Sequence, residues 1–370
     1  MGRVGLESSS RGCATIVSNK GGLPETITNG IILNDSDEEQ LYLSLKKLVS
    51  DNNYRKKLCS LSYKNFKNDI LEKSEDAAII QGGELAFSTD SFTVSPLFFA
   101  GADIGKLAVC GTCNDLAMMG AKPKYLTCSV IIEEGFPTRD LEKIVRSMKK
   151  ELEINGAVVV SGDTKVVPKG SVDKIFINTT GIGEVTKKGI SSNSITTNDV
   201  ILVNRDIGCH GATIFAAREG IEMSSDLESD CTSLYPQVKA LIDAGINITA
   251  LRDATRGGVS AVLNEWSKQS NVCIEVEEQS IPVSDEVNGI CEMLGFEAAA
   301  LANEGTFVLA IKKEDEQKTL EILKTFEKNS MACTIGKVTD KHLQKVVLNS
   351  AYGTQRFLDT PTGELLPRIC

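Results

Sequence analysis

Residues 104–119 read Ile104-Gly105-Lys106-Leu107-Ala108-Val109-Cys110-Gly111-Thr112-Cys113-Asn114-Asp115-Leu116-Ala117-Met118-Met119, and a short link leads on to Tyr125-Leu126-Thr127-Cys128-Ser129-Val130-Ile131-Ile132. The first run is helix-like; the second is short and rich in β-branched residues, which predicts a strand. A further helix follows Pro137-Thr138, with Leu141, Ile144, Val145, Met148 and Leu152 on one face. Strands are expected at Glu84–Phe87, Ala157–Val160 and Lys174–Thr179, with Gly181-Ile182-Gly183 turning the chain after the last. Past the polar stretch Lys187–Ser194 the alternation resumes. Strands are predicted at Val200–Val203, Cys273–Val276 and Thr306–Ile311, and helices around 211–219, 233–244 and 315–326. Toward the N-terminus come a strand at Ala14–Val17, an amphipathic helix carrying Leu41, Leu43, Leu45 and Leu48, and a Lys-rich helix from Asn53 to Lys67. The pattern is α/β (α+β), not a bundle or a sandwich. It divides into 1–67, 68–190 and 197–370, with a flexible tail at 360–370.

The 370 residues hold 40 basic and 50 acidic side chains, a net charge of −10 that disfavours nucleic acid and anionic membranes. No stretch has the roughly 20 apolar residues of a membrane span, and the N-terminus lacks a secretory layout, so a cytoplasmic protein is expected. Eleven scattered cysteines suit a reducing compartment, and with only His210 and His342 a histidine-cluster mechanism is nearly excluded. Cys110-Gly111-Thr112-Cys113 lies inside a helical run without a second pair, so it reads as two packing cysteines.

Four acidic sites stand beside small polar residues: Glu75-Asp76-Ala77-Ala78, Thr89-Asp90-Ser91, Asn114-Asp115-Leu116 and Ser161-Gly162-Asp163-Thr164-Lys165. Singly, each reads as a cap or turn. Together on one sheet edge they would repel unless a hard cation such as Mg²⁺ sat among them with phosphate oxygens. Lys165 would then face phosphate as a point charge. Arg252-Asp253-Ala254-Thr255-Arg256-Gly257-Gly258, ahead of a helix, suits either phosphate contact or a capped surface turn. No Walker-type loop and no Gly-x-Gly-x-x-Gly after a strand is present. The last residue is Cys370, on a Pro- and Gly-containing arm whose final ten residues reach on the order of 33 Å when extended, far enough to carry a thiol between active sites.

These motifs, together with Val94-Ser95-Pro96-Leu97-Phe98-Phe99, Asp103-Ile104-Gly105-Lys106-Leu107, Asn178-Thr179-Thr180-Gly181, Ala302-Asn303-Glu304-Gly305 and terminal Pro367-Arg368-Ile369-Cys370, resemble the HypE family of hydrogenase maturation proteins over residues 68–370. That family shares a two-domain fold with aminoimidazole ribonucleotide synthetase, selenophosphate synthetase and thiamine-monophosphate kinase. The resemblance implies ATP-dependent dehydration of a carbamoyl group on Cys370 to thiocyanate. HypF would be the donor, the HypC–HypD complex would accept cyanide for the [NiFe]-hydrogenase iron, and the enzyme would be a homodimer. It further implies that Asp76, Asp90, Asp115 and Asp163 hold Mg²⁺-ATP with Lys106, Asn114, Asp253 and Arg256 near the nucleotide. Glu304, as proton acceptor, and Lys165 would act at the thiocarboxamide. A same-fold kinase or synthetase and a non-catalytic maturation scaffold are the rival expectations.

HypE proteins begin with a short His- and Gly-rich segment that residues 1–67 do not match. Gly5-Leu6-Glu7, Arg11–Asn19, Gly21–Glu25 and Asn29-Gly30 instead resemble the C-terminal end of a retaining, two-Rossmann-domain glycosyltransferase. Such a Rossmann-like fragment cannot bury its sheet faces or complete a sugar-nucleotide site, so glycosyl transfer is not expected. It reads as the remnant of a fusion or a join.

Overall fold

The computed structural model describes residues 13–19, 30–34, 38–66, 73, 75–221, 227–361 and 368–370. The chain forms two compact units, Met1–Ser74 and Glu75–Cys370. In the first, β1 (Thr15–Ser18) and β2 (Gly30–Leu33) pair in parallel, followed by α1 (Glu38–Ser50) and α2 (Asn52–Phe66). Leu48 of α1 is buried, but Leu41, Leu43 and Leu45 are exposed, because two strands offer too little surface to cover a helix face. The glycosyltransferase-like motifs at Gly5–Glu7 and Gly21–Glu25 lie outside the described residues.

The second unit holds two sheets. The first comprises β3 (Ala78–Ile80), β4 (Leu85–Phe92), β7 (Ala121–Glu133), β8 (Val158–Val167) and β9 (Ile175–Val185) in the order β3-β4-β9-β7-β8. A small ribbon, β5 (Phe98–Phe99) with β6 (Ala102–Asp103), introduces α3 (Ile104–Met118), and α4 (Thr138–Asn155) carries the crossover between the parallel neighbours β7 and β8. The second sheet is built from β10 (Asp199–Val203), β11 (Ile248–Asp253), β12 (Cys273–Glu277), β13 (Phe307–Lys312), β14 (Cys333–Thr339), β15 (Lys345–Asn349) and β16 (Gln355–Phe357) in the order β11-β13-β10-β14-β12-β15-β16. It carries α5 (Cys209–Glu219), α6 (Tyr235–Asp243), α7 (Gly258–Gln269), α8 (Asp285–Leu294) and α9 (Glu316–Leu323).

Helix α3 is the central element. All its residues are buried except Lys106 and Asp115. Asp103 caps it, accepting from the N–H groups of Gly105 at 2.7 Å and Lys106 at 3.0 Å. Gly181-Ile182-Gly183 corrects the expected turn: it lies within β9, opposite Ser88–Ala86 of β4. A Cβ on Gly181 would stand 2.8 Å from Thr112 Cγ2, so glycine serves close packing of α3 on the sheet rather than chain reversal.

Helix α4 also differs from expectation, since Val145 is exposed while Glu151 and Asn155 are buried. Positions 144, 148, 151 and 155 follow the true helical stripe, so two polar residues enter the interior. There Ser233 donates to Glu151 at 2.7 Å, and Asn155 donates to Ser233 at 2.6 Å. Among the described residues, no helix is long and apolar enough to cross a membrane.

Candidate active site

Four carboxylates from four elements face one another. Asp76 precedes β3, Asp90 lies within β4, Asp115 faces out of α3 and Asp253 ends β11. Ser88 donates to Asp115 at 2.5 Å and Thr112 donates to Asp90 at 3.0 Å, and burial raises the Asp90 carboxyl above its ordinary range. Burial pushes Asp115 well above the usual carboxylate range, with the Asp90, Asp253 and Asp76 charges adding to it. Asp76 is raised as strongly, by burial and then Asp253, although Arg252 opposes the shift. Asp253 is lifted by burial from 3.8 to about 7.

Arg252 is committed to Asp76 at 2.9 Å and Glu265 at 2.6 Å. Arg256 forms no salt bridge among the described residues; its charge opposes the upward shifts of Asp90 and Glu304. Asp76, Asp115, Asp253, Arg252, Thr255 and Arg256 line a cavity of about 160 Å³ at the start of α7. Gly258 opens that helix at φ +59°, and a Cβ there would stand 2.4 Å from the Leu301 carbonyl oxygen. The loop must therefore be glycine.

Magnesium can be tested against this geometry. Asp76 Oδ2 is buried without a hydrogen-bond partner, and the elevated carboxyls are short of positive charge, as expected where a cation belongs. Among the described residues no group of three or more His, Cys, Asp or Glu is placed to hold a metal ion by itself. The arrangement suits a hard cation that takes one or two carboxylates and completes its shell with phosphate and water.

The structure does not bring every expected residue here. Asp163 lies on the edge strand β8, exposed and bonded to Lys165 at 2.9 Å, which holds its carboxyl below the usual range. In the sheet register Asp163 sits opposite Ser129, Ser129 opposite Asn178 and Asn178 opposite Ser91. Three strand spacings of about 4.8 Å thus separate it from the Asp90 neighbourhood, about 14 Å. Within one chain Asp253 stands with Asp76, Asp90 and Asp115, while Asp163 and Lys165 lie apart on the exposed edge strand. The Asn114 amide donates to the Thr232 and Glu304 carbonyls at 3.0 and 3.3 Å and its oxygen accepts from Leu234 N–H at 2.8 Å, so it staples α3 to the second sheet's loops and keeps one acceptor lone pair. Lys106 sits nine residues before Asp115 on α3, about 13.5 Å along the axis, and donates to the Gly101 carbonyl.

Glu304 is buried. Burial, with the charges of Asp253 and Asp230, raises its carboxyl well above the usual range. Its loop hangs on Asp230, a residue the sequence did not single out, which accepts from the N–H groups of Glu304 at 3.1 Å and Gly305 at 2.9 Å and from the Thr306 hydroxyl at 2.8 Å. Asp230→Asn turns one acceptor into a donor facing donors. We expect a loss of about 1–3 kcal/mol in denaturant unfolding, with slower turnover from a displaced Glu304.

Residues 362–367 of the tail lie outside the described residues, but the last three are docked rather than loose. Thr93 N–H donates to a main-chain carboxylate oxygen of Cys370 at 3.0 Å and Ser95 N–H to the Arg368 carbonyl at 3.3 Å, an antiparallel extension beyond β4. Ile369 is buried. It joins the apolar cluster that contains Cys231 and Ala302 and against which Cys370 packs. That cluster also takes in Ala302, two residues before Glu304, and the Glu304 charge acts on the Cys231 thiol within it.

The fold and this site define a two-sheet α/β class with an acidic cavity. Residues 74–185 match the N-terminal domain of AIR synthase related proteins, and 196–349 match the C-terminal domain. Carbamoyl dehydratase HypE of Escherichia coli K12 is 43% identical over 319 residues, covering 84% of this chain and 94% of that protein. A crystal structure of a HypE–HypF complex aligns at TM-score 0.77 with 46% identity over 80% of this chain and 97% of the other, and one of HypE in complex with ATP aligns at 0.75 with 40% identity over 88% and 97%. The chain belongs to the HypE family of carbamoyl dehydratases.

Asp253 also makes a pH prediction. Between 3.8 and about 7 the unfolded chain has released a proton that the folded protein retains, so stability falls as pH rises through that window and levels off above it. Thermal melts should show this fall, at most about 4 kcal/mol, and Asp253→Asn should flatten it.

Proposed function

We propose that the protein dehydrates a carbamoyl group carried on Cys370, using ATP, to a thiocyanate that supplies cyanide for a [NiFe]-hydrogenase iron. The observation that carries this reading is the docking of the terminal cysteine on the backbone after β4 and on the apolar cluster that takes in Cys231 and Ala302, within the unit that holds the acidic cavity. A partner of the HypF kind loads the thiol as S–C(=O)–NH₂. Transfer of the γ-phosphoryl group to the carbonyl oxygen, with loss of the first N–H proton, gives S–C(OPO₃²⁻)=NH and makes a good leaving group of a poor one. Phosphate then leaves as the second N–H proton passes to a base, giving S–C≡N, ADP and phosphate. Glu304 is the proton acceptor. One or two of Asp76, Asp90 and Asp115 would hold Mg²⁺, which would supply charge neutralisation at the transferring phosphoryl group. Arg256 and the α7 N-terminus meet phosphate oxygens. The 160 Å³ cavity is below the usual size for a whole ligand, so it receives the phosphates while the rest of the nucleotide lies outside it.

The protein acts in the cytoplasm as a homodimer. Support comes from β8, an edge strand with Val158, Val159, Val160 and Val166 all exposed, which is the kind of edge another copy covers. Such a pairing also offers Asp163 and Lys165 of β8 a route to the site of the other copy. A HypC–HypD type complex takes the cyanide. Incubation with a HypF-type donor, carbamoyl phosphate and ATP should give a Cys370 adduct that then loses the mass of one water; an adduct that persists as carbamoyl defeats the reading.

A further inference from the structure

The main-chain oxygens of the last three residues are all engaged, and the two side chains that hold the Arg368 and Ile369 carbonyls come from α5. His210 is fully buried and its Nε2 lies 2.8 Å from the Ile369 carbonyl oxygen. A carbonyl only accepts, so Nε2 carries the proton. The other ring nitrogen, Nδ1, lies 2.8 Å from the Ser229 hydroxyl, and Ser229 Oγ in turn accepts from Cys231 N–H at 3.1 Å. The serine oxygen thus takes one proton from the backbone and gives its own to Nδ1, which fixes the tautomer. Phe99 stands edge-on to the imidazole, with ring centroids 5.5 Å apart. Two turns along α5, Arg218 donates from Nε to the Ser95 carbonyl at 2.7 Å and from Nη2 to the Arg368 carbonyl, bridging the tail to the strand beside it. The contacts made by His210 and Arg218 address peptide carbonyls, so they fix where the backbone stands and, through it, where the thiol of Cys370 points.

We propose that His210, assisted by Arg218, is a positioning residue: it latches the peptide carbonyls immediately before Cys370 and thereby sets the placement of the thiol for the ATP-dependent step. The inference rests on the dehydratase reading for its consequence, but the latch itself is independent of it. A tail that must also be loaded by a second protein needs a hold that is specific yet breakable. Hydrogen bonds to neutral carbonyls, each worth about 1 kcal/mol net, meet both needs.

The test uses the full chain with His210→Leu, which keeps bulk and removes the donor, and His210→Gln, which keeps an N–H near the Nε2 position. The first readout is the alkylation rate of Cys370, followed by mass of the C-terminal peptide, with Cys13 and Cys59 as internal controls. His210→Leu should speed Cys370 alkylation about tenfold and leave the controls unchanged, and His210→Gln should restore most of the native protection. The second readout splits the reaction. Loading by the donor should be unimpaired in His210→Leu, while dehydration of the loaded adduct slows about tenfold. Arg218→Met repeats both measurements at a half-buried position should His210→Leu fail to fold. Unchanged alkylation in the folded variants overturns the latch. So does a glutamine variant as unprotected as the leucine one with an equal loss of thermal stability. If the native protein shows no dehydration, the parent reading fails and the alkylation arm still decides the latch.

Discussion

Cys370→Ala should abolish turnover, a loss of more than about a thousandfold, while Mg²⁺-ATP binding by calorimetry and the thermal melt stay near native. The thiol is the only point at which the carbamoyl group is attached, so no other residue substitutes for it. The backbone hydrogen bonds from Thr93 and His210 to the tail do not involve sulfur and survive the change. A retained dehydration, or phosphate turnover on a small substrate after the substitution, would favour a same-fold kinase instead. Loss of ATP binding in the native chain would favour a non-catalytic maturation scaffold.

Glu304→Gln should leave loading of Cys370 intact and stall the adduct at the carbamoyl stage, with dehydration slowed by about 10²–10⁴-fold, the usual worth of a general base. The glutamine keeps size and polarity but cannot accept a proton. Because burial and neighbouring carboxylates hold the Glu304 carboxyl well above its ordinary range, the residue must ionise before it can act. Cation binding at the adjacent aspartates is the natural trigger, since it removes the repulsion that Asp253 and Asp90 exert. The dehydration rate of the native enzyme should therefore rise with pH and shift to lower pH as magnesium increases, measured on preloaded protein in single turnovers. An unchanged rate in Glu304→Gln would remove Glu304 from the mechanism.

Much of the fold was open to reading because its elements are locally consistent. The α3 run, the strands β7, β10 and β12, and the α4 stripe each follow one period. The errors fall where a local signal has two structural meanings. Gly181-Ile182-Gly183 looks like a turn, yet the glycines serve a helix that crosses the strand. Val145 looks like core because it is apolar, but its helical phase points to solvent. At the site, Asp76, Asp90, Asp115, Asp253 and Arg256 were legible as carboxylates and a guanidinium in small-residue contexts. Asp230 and His210 were not, because what marks them is the loop and the tail that they hold, at sequence separations of 74 and 159.

The sequence by itself determined the α/β class, the stock of acidic side chains available for a cation and phosphates, and the presence of a thiol at the very end of the chain. Those are properties of composition, period and order, which neighbouring residues specify. The tertiary structure alone decided which of them meet. It closed Asp76, Asp115 and Asp253 around one cavity with Asp90 hydrogen-bonded behind them, left Asp163 and Lys165 on an exposed edge, used Asn114 as a staple, and docked Cys370 rather than letting it swing free. The reason is that strand order and helix packing are set by burial over the whole unit. Two residues adjacent in the pattern can end three strands apart, while residues hundreds of positions apart share a hydrogen bond.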